Sequence, residues 1–298
     1  MRAVRAITDK TMFAVCLASA LVVSGALLVI VAVIFSMALP SLSLYFILTP
    51  ESETPGLGGG IANAIAGTLL ISIMATAIAS PLAMGTAIYL QKYARNTRWV
   101  RGFRFLLEVL SGTPSIILGI FGLMFLAIMM KHYTGGYSLI GGAIALSILI
   151  LPVIERAVEE AISAVPVELE HGSYALGATK WITLKWVTLP AAISGVITGM
   201  ILGFGRAAEE SAVVIFTASY TQFFPEFGVQ PNEDLVFGMK IYPLQDTVAT
   251  LPITVYNSYL NRTFIPVSDA FATALVLIVL VLCINLVAKL VLRRFGND

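Results

Sequence analysis

Charge is scarce in this chain. Lys, Arg, Asp and Glu make up 12% of its 298 residues, about half the ~25% usual in a soluble domain. Cysteine is scarcer still. Cys16 and Cys283 stand alone in apolar runs near opposite ends, so neither a disulfide framework nor a thiolate metal site can be built from them; they read as small lipid-facing or packing residues. The two histidines, His132 and His171, fall in separate loops and no nucleophile–base set accompanies them, which argues against a membrane enzyme. The phosphate-cradling pattern G-x-x-x-x-G-K-[ST] is missing, so this chain cannot hold ATP in the usual way. A net charge of +1 with scattered basic residues gives nucleic acid no surface to bind.

Apolar residues dominate instead, at 58% of the chain with a mean hydropathy of +0.92. A membrane-crossing helix needs about 20 mostly apolar residues, and six stretches qualify, at about 12–39, 61–90, 103–130, 137–154, 187–216 and 270–292. The fourth is short. The first is too long for a signal-peptide core and is expected to remain as an anchor. Basic residues set the orientation. Arg2, Arg5 and Lys10 precede the first stretch, Lys92, Arg95, Arg98, Arg101 and Arg104 follow the second, Arg156, Lys180 and Lys185 follow the fourth, and Lys289, Arg293 and Arg294 close the chain. The alternate loops hold only Lys131, Lys240 and Arg262. Both termini and the polar insert at about 156–190 are therefore expected in the cytoplasm. The fold expected is an all-α polytopic membrane protein with six transmembrane helices.

Two stretches carry features a plain anchor would not need. Ser111-Gly-Thr-Pro-Ser115 interrupts the third, and proline inside a helix frees a backbone carbonyl that a bilayer tolerates only in a protein interior or a watery cavity. The break is either a packing kink or part of a permeation path, with Glu108 six residues before Pro114. In the fifth stretch, Gly195, Gly199, Gly203, Arg206 and Glu210 share one helix face at ~100° per residue. The glycines allow another helix to approach closely, and the charges beyond them face a cavity or a partner. Arg206 either neutralises Glu210, Glu209 or Glu108, or offers its fork to a passing oxyanion. The run Gly56-Leu-Gly-Gly-Gly60 lacks the strand and soluble helix of a dinucleotide fingerprint and reads as a flexible approach to the second span.

The polar insert reads as helix, turn, helix. A charged stretch over 155–163 is broken at Val165-Pro166, a helix resumes over 167–176, Gly177 suits a left-handed helix end, and a second short helix over 178–184 precedes Pro190, where the fifth span is expected to begin. Tyr174, Leu176 and Trp181 are then hydrophobic knobs of the kind that anchor an interface. The acids Glu155, Glu159, Glu160, Glu168 and Glu170 make the alternative, a helix lying on anionic lipid, unattractive.

Ala175-Leu-Gly-Ala-Thr-Lys-Trp181 followed by Leu189-Pro190 closely resembles the coupling loop of ABC importer permeases. The family's usual glutamate falls on His171, and Glu170 lies one position early. Gly59-Gly-Ile-Ala-Asn-Ala-Ile-Ala-Gly-Thr-Leu69, Gly112-Thr-Pro-Ser-Ile-Ile-Leu-Gly119, Arg206-Ala-Ala-Glu-Glu-Ser-Ala212 and Leu251-Pro-Ile-Thr-Val-Tyr-Asn257 are similar to segments of phosphate importer permeases of the PstA type, with Glu209 in place of a glycine. The resemblance implies a type I permease architecture: an N-terminal anchor and external loop over 1–60, and a transmembrane domain over 61–298 whose coupling loop is a cytoplasmic helix.

It further implies His171, Tyr174, Ala175, Leu176, Gly177, Trp181 and Pro190 as the surface that meets the ATPase, and Arg206, Glu210, Glu108, Thr113, Pro114 and Ser115 along the substrate pathway. The implied partners are a homologous second permease, two copies of a cytoplasmic ATPase carrying ATP-Mg, an extracytoplasmic phosphate-binding protein and the lipid of a prokaryotic inner membrane. This chain itself is expected to bind no cofactor or metal and to catalyse nothing. A permease for sulfate, molybdate or phosphonate is the alternative. An ion-coupled secondary carrier would show an internal repeat and midplane carboxylates, and neither is evident here.

Overall fold

The computed structural model describes residues 2–94, 97–236 and 238–295; Arg95, used above for orientation, lies outside them. Among the described residues thirteen α-helices pack without any large sheet. In chain order they are α1 (Arg2–Ala38), the short α2 (Leu44–Leu48), α3 (Ala62–Ile88), α4 (Arg98–Gly112), α5 (Ser115–Gly122), α6 (Lys131–Thr134), α7 (Leu139–Ser163), α8 (Val167–Ala175), α9 (Lys180–Thr183), α10 (Leu189–Ala208), α11 (Ala212–Thr217), α12 (Leu251–Leu260) and, as the thirteenth, α13 (Val267–Phe295). Strands β1 (Gly228–Pro231) and β2 (Met239–Tyr242) form an antiparallel hairpin between α11 and α12, with Gly228 opposite Tyr242. Among the described residues five helices are long and apolar enough to cross a membrane, or up to six if a bent pair counts as one span.

The core is built from α3, α7 and α10. Ala75, Ala79, Ala83 and Ala87 of α3 meet Leu146, Ile150, Ile154 and Val158 of α7, with Ala192 and Val196 of α10 beside them. Small residues on α3 bring the backbones close, so dispersion contacts hold the helices where lipid supplies no hydrophobic drive. α1 stays at the periphery and its apolar side chains face outward, as lipid contact requires.

The structure corrects several of the boundaries. The third stretch is two limbs, Arg98–Gly112 and Ser115–Met129, bent by 97°, so the interruption expected at 111–115 is a full break and sharper than a packing kink. Pro114 accounts for the break, since Thr113 and Pro114 are extended at the joint and proline disfavours a helical residue before it. The fourth is longer than expected and runs unbroken through Pro152 to Ser163, so residues 155–163 extend the span and are not a separate helix of the insert. Pro190 does not open the fifth span either. α9, a π turn at Leu184–Thr188 and α10 form one continuous helix, and the wide turn just before Pro190 absorbs the hydrogen bond that proline cannot make. That helix ends at Ala208, with α11 separate, so the fifth stretch does not continue to 216.

The glycine run at 56–60 is a built turn, with positive φ at Gly56, Gly58 and Gly59. The N–H of Gly58 donates to Glu51 Oε1 at 3.1 Å and that of Gly59 to Asp269 Oδ2 at 3.1 Å, while the Tyr220 hydroxyl also donates to Glu51. Burial first, and then the neighbouring Glu51 carboxylate, push the Tyr220 pKa upward, which keeps the phenol a donor. The turn thus binds carboxylates of its own chain and ties α13 to the segment before α3.

Candidate functional site

The segment between α7 and α10 is organised around one left-handed residue. Pro166 is extended and opens α8. At its other end Gly177 takes φ +82°, and the N–H groups of Leu176, Gly177 and Ala178 return to the carbonyls of Gly172, Tyr174 and Ser173 at 3.3, 2.9 and 3.2 Å. These bonds satisfy the last carbonyls of α8. Thr179 caps α9 by accepting from the Ile182 N–H at 3.4 Å. The turn presents its knobs outward: Leu176 is 91% exposed, and Tyr174 and Trp181 are exposed too, as are His171, Ala175 and Gly177. Pro190, also exposed, sits apart from this cluster at the start of α10.

Beneath the exposed turn lies a contact that sequence reasoning missed. Glu170 is buried, and its Oε1 accepts from Lys92 Nζ at 2.5 Å and from Thr188 Oγ1 at 2.8 Å. Lys92 belongs to the π turn Tyr89–Tyr93 that ends α3, and Thr188 to the π turn that leads into α10. A second strap joins Ser173 Oγ to Thr183 Oγ1 at 2.8 Å. Burial alone would raise the Glu170 pKa; the hydrogen bonds from Lys92 and Thr188, and then the charges of Lys92 and His171, outweigh it and hold the carboxyl below its ordinary 4.5. The signal in the sequence was the one-residue shift of the acid. A step of ~100° turns Glu170 inward while His171 remains exposed.

The charged residues of the expected pathway fall into two groups. Arg206 pairs with Glu210 at 2.8 Å, and Glu210, which is buried, also accepts from the Ala212 N–H at 3.0 Å. Glu210 is not on the helix face shared by the glycines, because Glu209 already ends α10; it reaches Arg206 from the turn before α11. Glu108 is elsewhere. It lines a cavity of about 150 Å³ between α4 and α7, with Arg104, Ser111, Glu155, Arg156 and Glu159. Arg104 bridges the two helices through Glu159 at 2.6 Å. Glu155 is 4% exposed and its Oε1 has no hydrogen-bond partner. At the bend, Thr113 Oγ1 donates to the Val109 carbonyl at 2.8 Å and Ser115 begins α5 behind Pro114. Among the described residues no cluster of His, Cys, Asp and Glu could hold a metal ion.

The glycine seam faces α7. A methyl group on Gly199 would lie 2.9 Å from Ala157 Cβ, one on Gly203 would lie 2.5 Å from Ile154 Cγ1, and one on Gly195 would collide with Ala161. All three are closer than ordinary carbon contacts of ~3.5–4.0 Å.

Residues 79–297 match the family described as binding-protein-dependent transport system inner membrane component. A probable ABC transporter permease of Bacillus subtilis, YqgI, is 35% identical, and the match covers 96% of this chain and 95% of that protein. The phosphate transport system permease protein PstA of Yersinia pestis is 32% identical over 85% of this chain and 79% of its own length. Among solved structures, a bacterial alginate ABC transporter in complex with an alginate-bound periplasmic protein superposes with a TM-score of 0.60 at 14% identity, covering 89% of this chain and 88% of the other, a likeness of fold alone. The chain belongs to the binding-protein-dependent transport system inner membrane component family and is an ABC importer permease of the type I fold, a multi-pass membrane subunit.

Proposed function

We propose that this chain is the PstA-type permease of an ATP-driven phosphate importer in a prokaryotic cytoplasmic membrane. It forms one wall of the pathway, opposite a homologous second permease. Two copies of a cytoplasmic ABC ATPase, which carry the ATP-Mg, dock on the inner turn, and an extracytoplasmic phosphate-binding protein delivers the anion from the other side. The observation that carries the proposal is the turn itself: Gly177 in a left-handed conformation holds Tyr174, Leu176 and Trp181 exposed, on a segment continuous with α10. A push on these knobs enters the membrane as movement of a whole helix, because α10 is seamed to α7 through Gly195, Gly199 and Gly203.

Phosphate as the cargo is supported by the PstA relatives of Yersinia pestis and Haemophilus influenzae, at 32% and 29% identity. Arg206, Arg104 and Arg156 supply positive potential, and each is balanced by nearby carboxylates. That balance suits a site an anion must leave as well as reach.

The test is uptake of radiolabelled phosphate into proteoliposomes holding both permeases and the ATPase, with ATP inside and binding protein outside. Uptake should require both and resist excess sulfate and molybdate. Uptake without ATP would replace the importer with a secondary carrier, and inhibition by sulfate or molybdate would change the anion while leaving the architecture.

A further inference from the structure

Glu170 sits where three separate pieces of chain converge, and both pieces it grips are π turns. The first ends α3 at Tyr89–Tyr93 and contains Lys92; the second opens α10 at Leu184–Thr188 and contains Thr188. Single π turns are uncommon and concentrate at functional sites, since their wider ring leaves the helix locally able to yield. One buried carboxylate oxygen accepts from both side chains, at 2.5 and 2.8 Å. Charge-assisted bonds of this kind are roughly twice as strong as neutral ones, and burial shields them from water. Of the exposed knobs, Tyr174 is in the last turn of α8, Leu176 follows it directly and Trp181 is on α9. A force applied at Tyr174 or Leu176 therefore meets the spans first at Glu170, with the Ser173–Thr183 contact as a lateral strap, whereas Trp181 already stands on the helix continuous with α10.

We propose that Glu170 is the transmission pin of this permease: displacement of the end of α8 at 174–176 passes through its carboxylate to α3 and to the π turn that opens α10, and the two π turns are the places that yield. The proposal rests on the importer function given above. Glu170 acts through Lys92 and Thr188, to which it is bonded, so it is a positioning residue. It also accounts for the shift of the acid from position 171 to 170. The inward-facing position serves the spans, and the outward-facing one is left to His171.

The reconstituted complex decides this by the phosphate moved per ATP hydrolysed. Glu170→Gln should keep the ATPase bound and hydrolysing while that ratio falls about tenfold, the scale of one lost charge-assisted hydrogen bond. The exchange Lys92→Glu with Glu170→Lys should recover part of it. An unchanged ratio overturns the pin, as does a loss the exchange leaves unrepaired. Loss of the bound ATPase in Glu170→Gln would also overturn it, by assigning the residue to the docking surface. Hydrogen exchange on the purified chain judges the pin without transport. Glu170→Gln should speed exchange at both π turns, and unaltered exchange there would sink the pin. A wild-type complex that moves no phosphate would instead sink the importer function alone.

Discussion

Arg206 has two candidate tasks, and its partner separates them. Truncation to alanine leaves the buried Glu210 carboxylate with only the Ala212 N–H, a loss of roughly 1–3 kcal/mol, held below the fully buried range because the guanidinium is 43% exposed. We predict that Arg206→Ala lowers the melting temperature of the purified chain and stops phosphate uptake. Adding Glu210→Ala should restore the melting temperature and leave uptake absent. Recovery of uptake in the double variant would reduce Arg206 to a neutraliser of Glu210. Both residues and their pairing were legible from an i,i+4 spacing, but the helix end between them was not, because nothing local marks Glu209 as a cap.

Glu170 yields a pH prediction. Its folded pKa lies below 4.5, so its bonds contribute fully above about 4.5 and are lost as pH falls through the lowered value. The melting-temperature gap between wild type and Glu170→Gln should be widest near neutrality and shrink as pH drops below 4.5. A gap that does not change with pH would remove the ion pair from the account. Glu155 and Arg104 were legible only as acids and bases, because a cavity between helices far apart in sequence leaves no periodic trace.

Helix packing is decided by a few small residues. Leucine at Gly199 would drive into Ala157 and the Ile154 carbonyl, and overpacking costs about 1–3 kcal/mol or more. Gly205, on the same helix, has open space around an added methyl. We predict that Gly199→Leu lowers the melting temperature of the detergent-solubilised chain, whereas Gly205→Ala is neutral or slightly stabilising through helix propensity. Equal effects at the two positions would remove the seam. The 174–181 turn behaves differently, since Tyr174, Leu176 and Trp181 are exposed. Trp181→Glu should leave the melting temperature unchanged and reduce co-purification of the ATPase. The four-residue spacing of the glycines made the seam readable. The π turns were not readable, because they alter backbone registration without altering which side chains are apolar.

Parity connects the elements to the whole molecule. Five full-length crossing helices would place the chain ends on opposite sides, and the bent pair Arg98–Gly112 and Ser115–Met129 would supply a sixth crossing if it traverses the membrane as one broken span. The second limb alone is about 22 Å long at ~1.5 Å per residue, short of a hydrocarbon layer of ~30 Å. The crossing therefore needs both limbs, with the joint at Pro114 inside protein or against water. We predict the same result from the charge pattern, which would put Lys131 and the hairpin outside and the 164–179 segment inside.

With Cys16 and Cys283 replaced by serine, single cysteines at Tyr133 and Ala178 would be labelled by an impermeant maleimide in intact and in opened cells. We predict labelling of position 133 from outside and of position 178 only after opening. Reaction of position 178 from outside would mean that the bent pair re-enters the face it left. Such a topology would put the exposed Tyr174, Leu176 and Trp181 beyond the reach of any cytoplasmic motor, so the energy coupling of the entire molecule depends on how one Thr113-Pro114 joint is traversed.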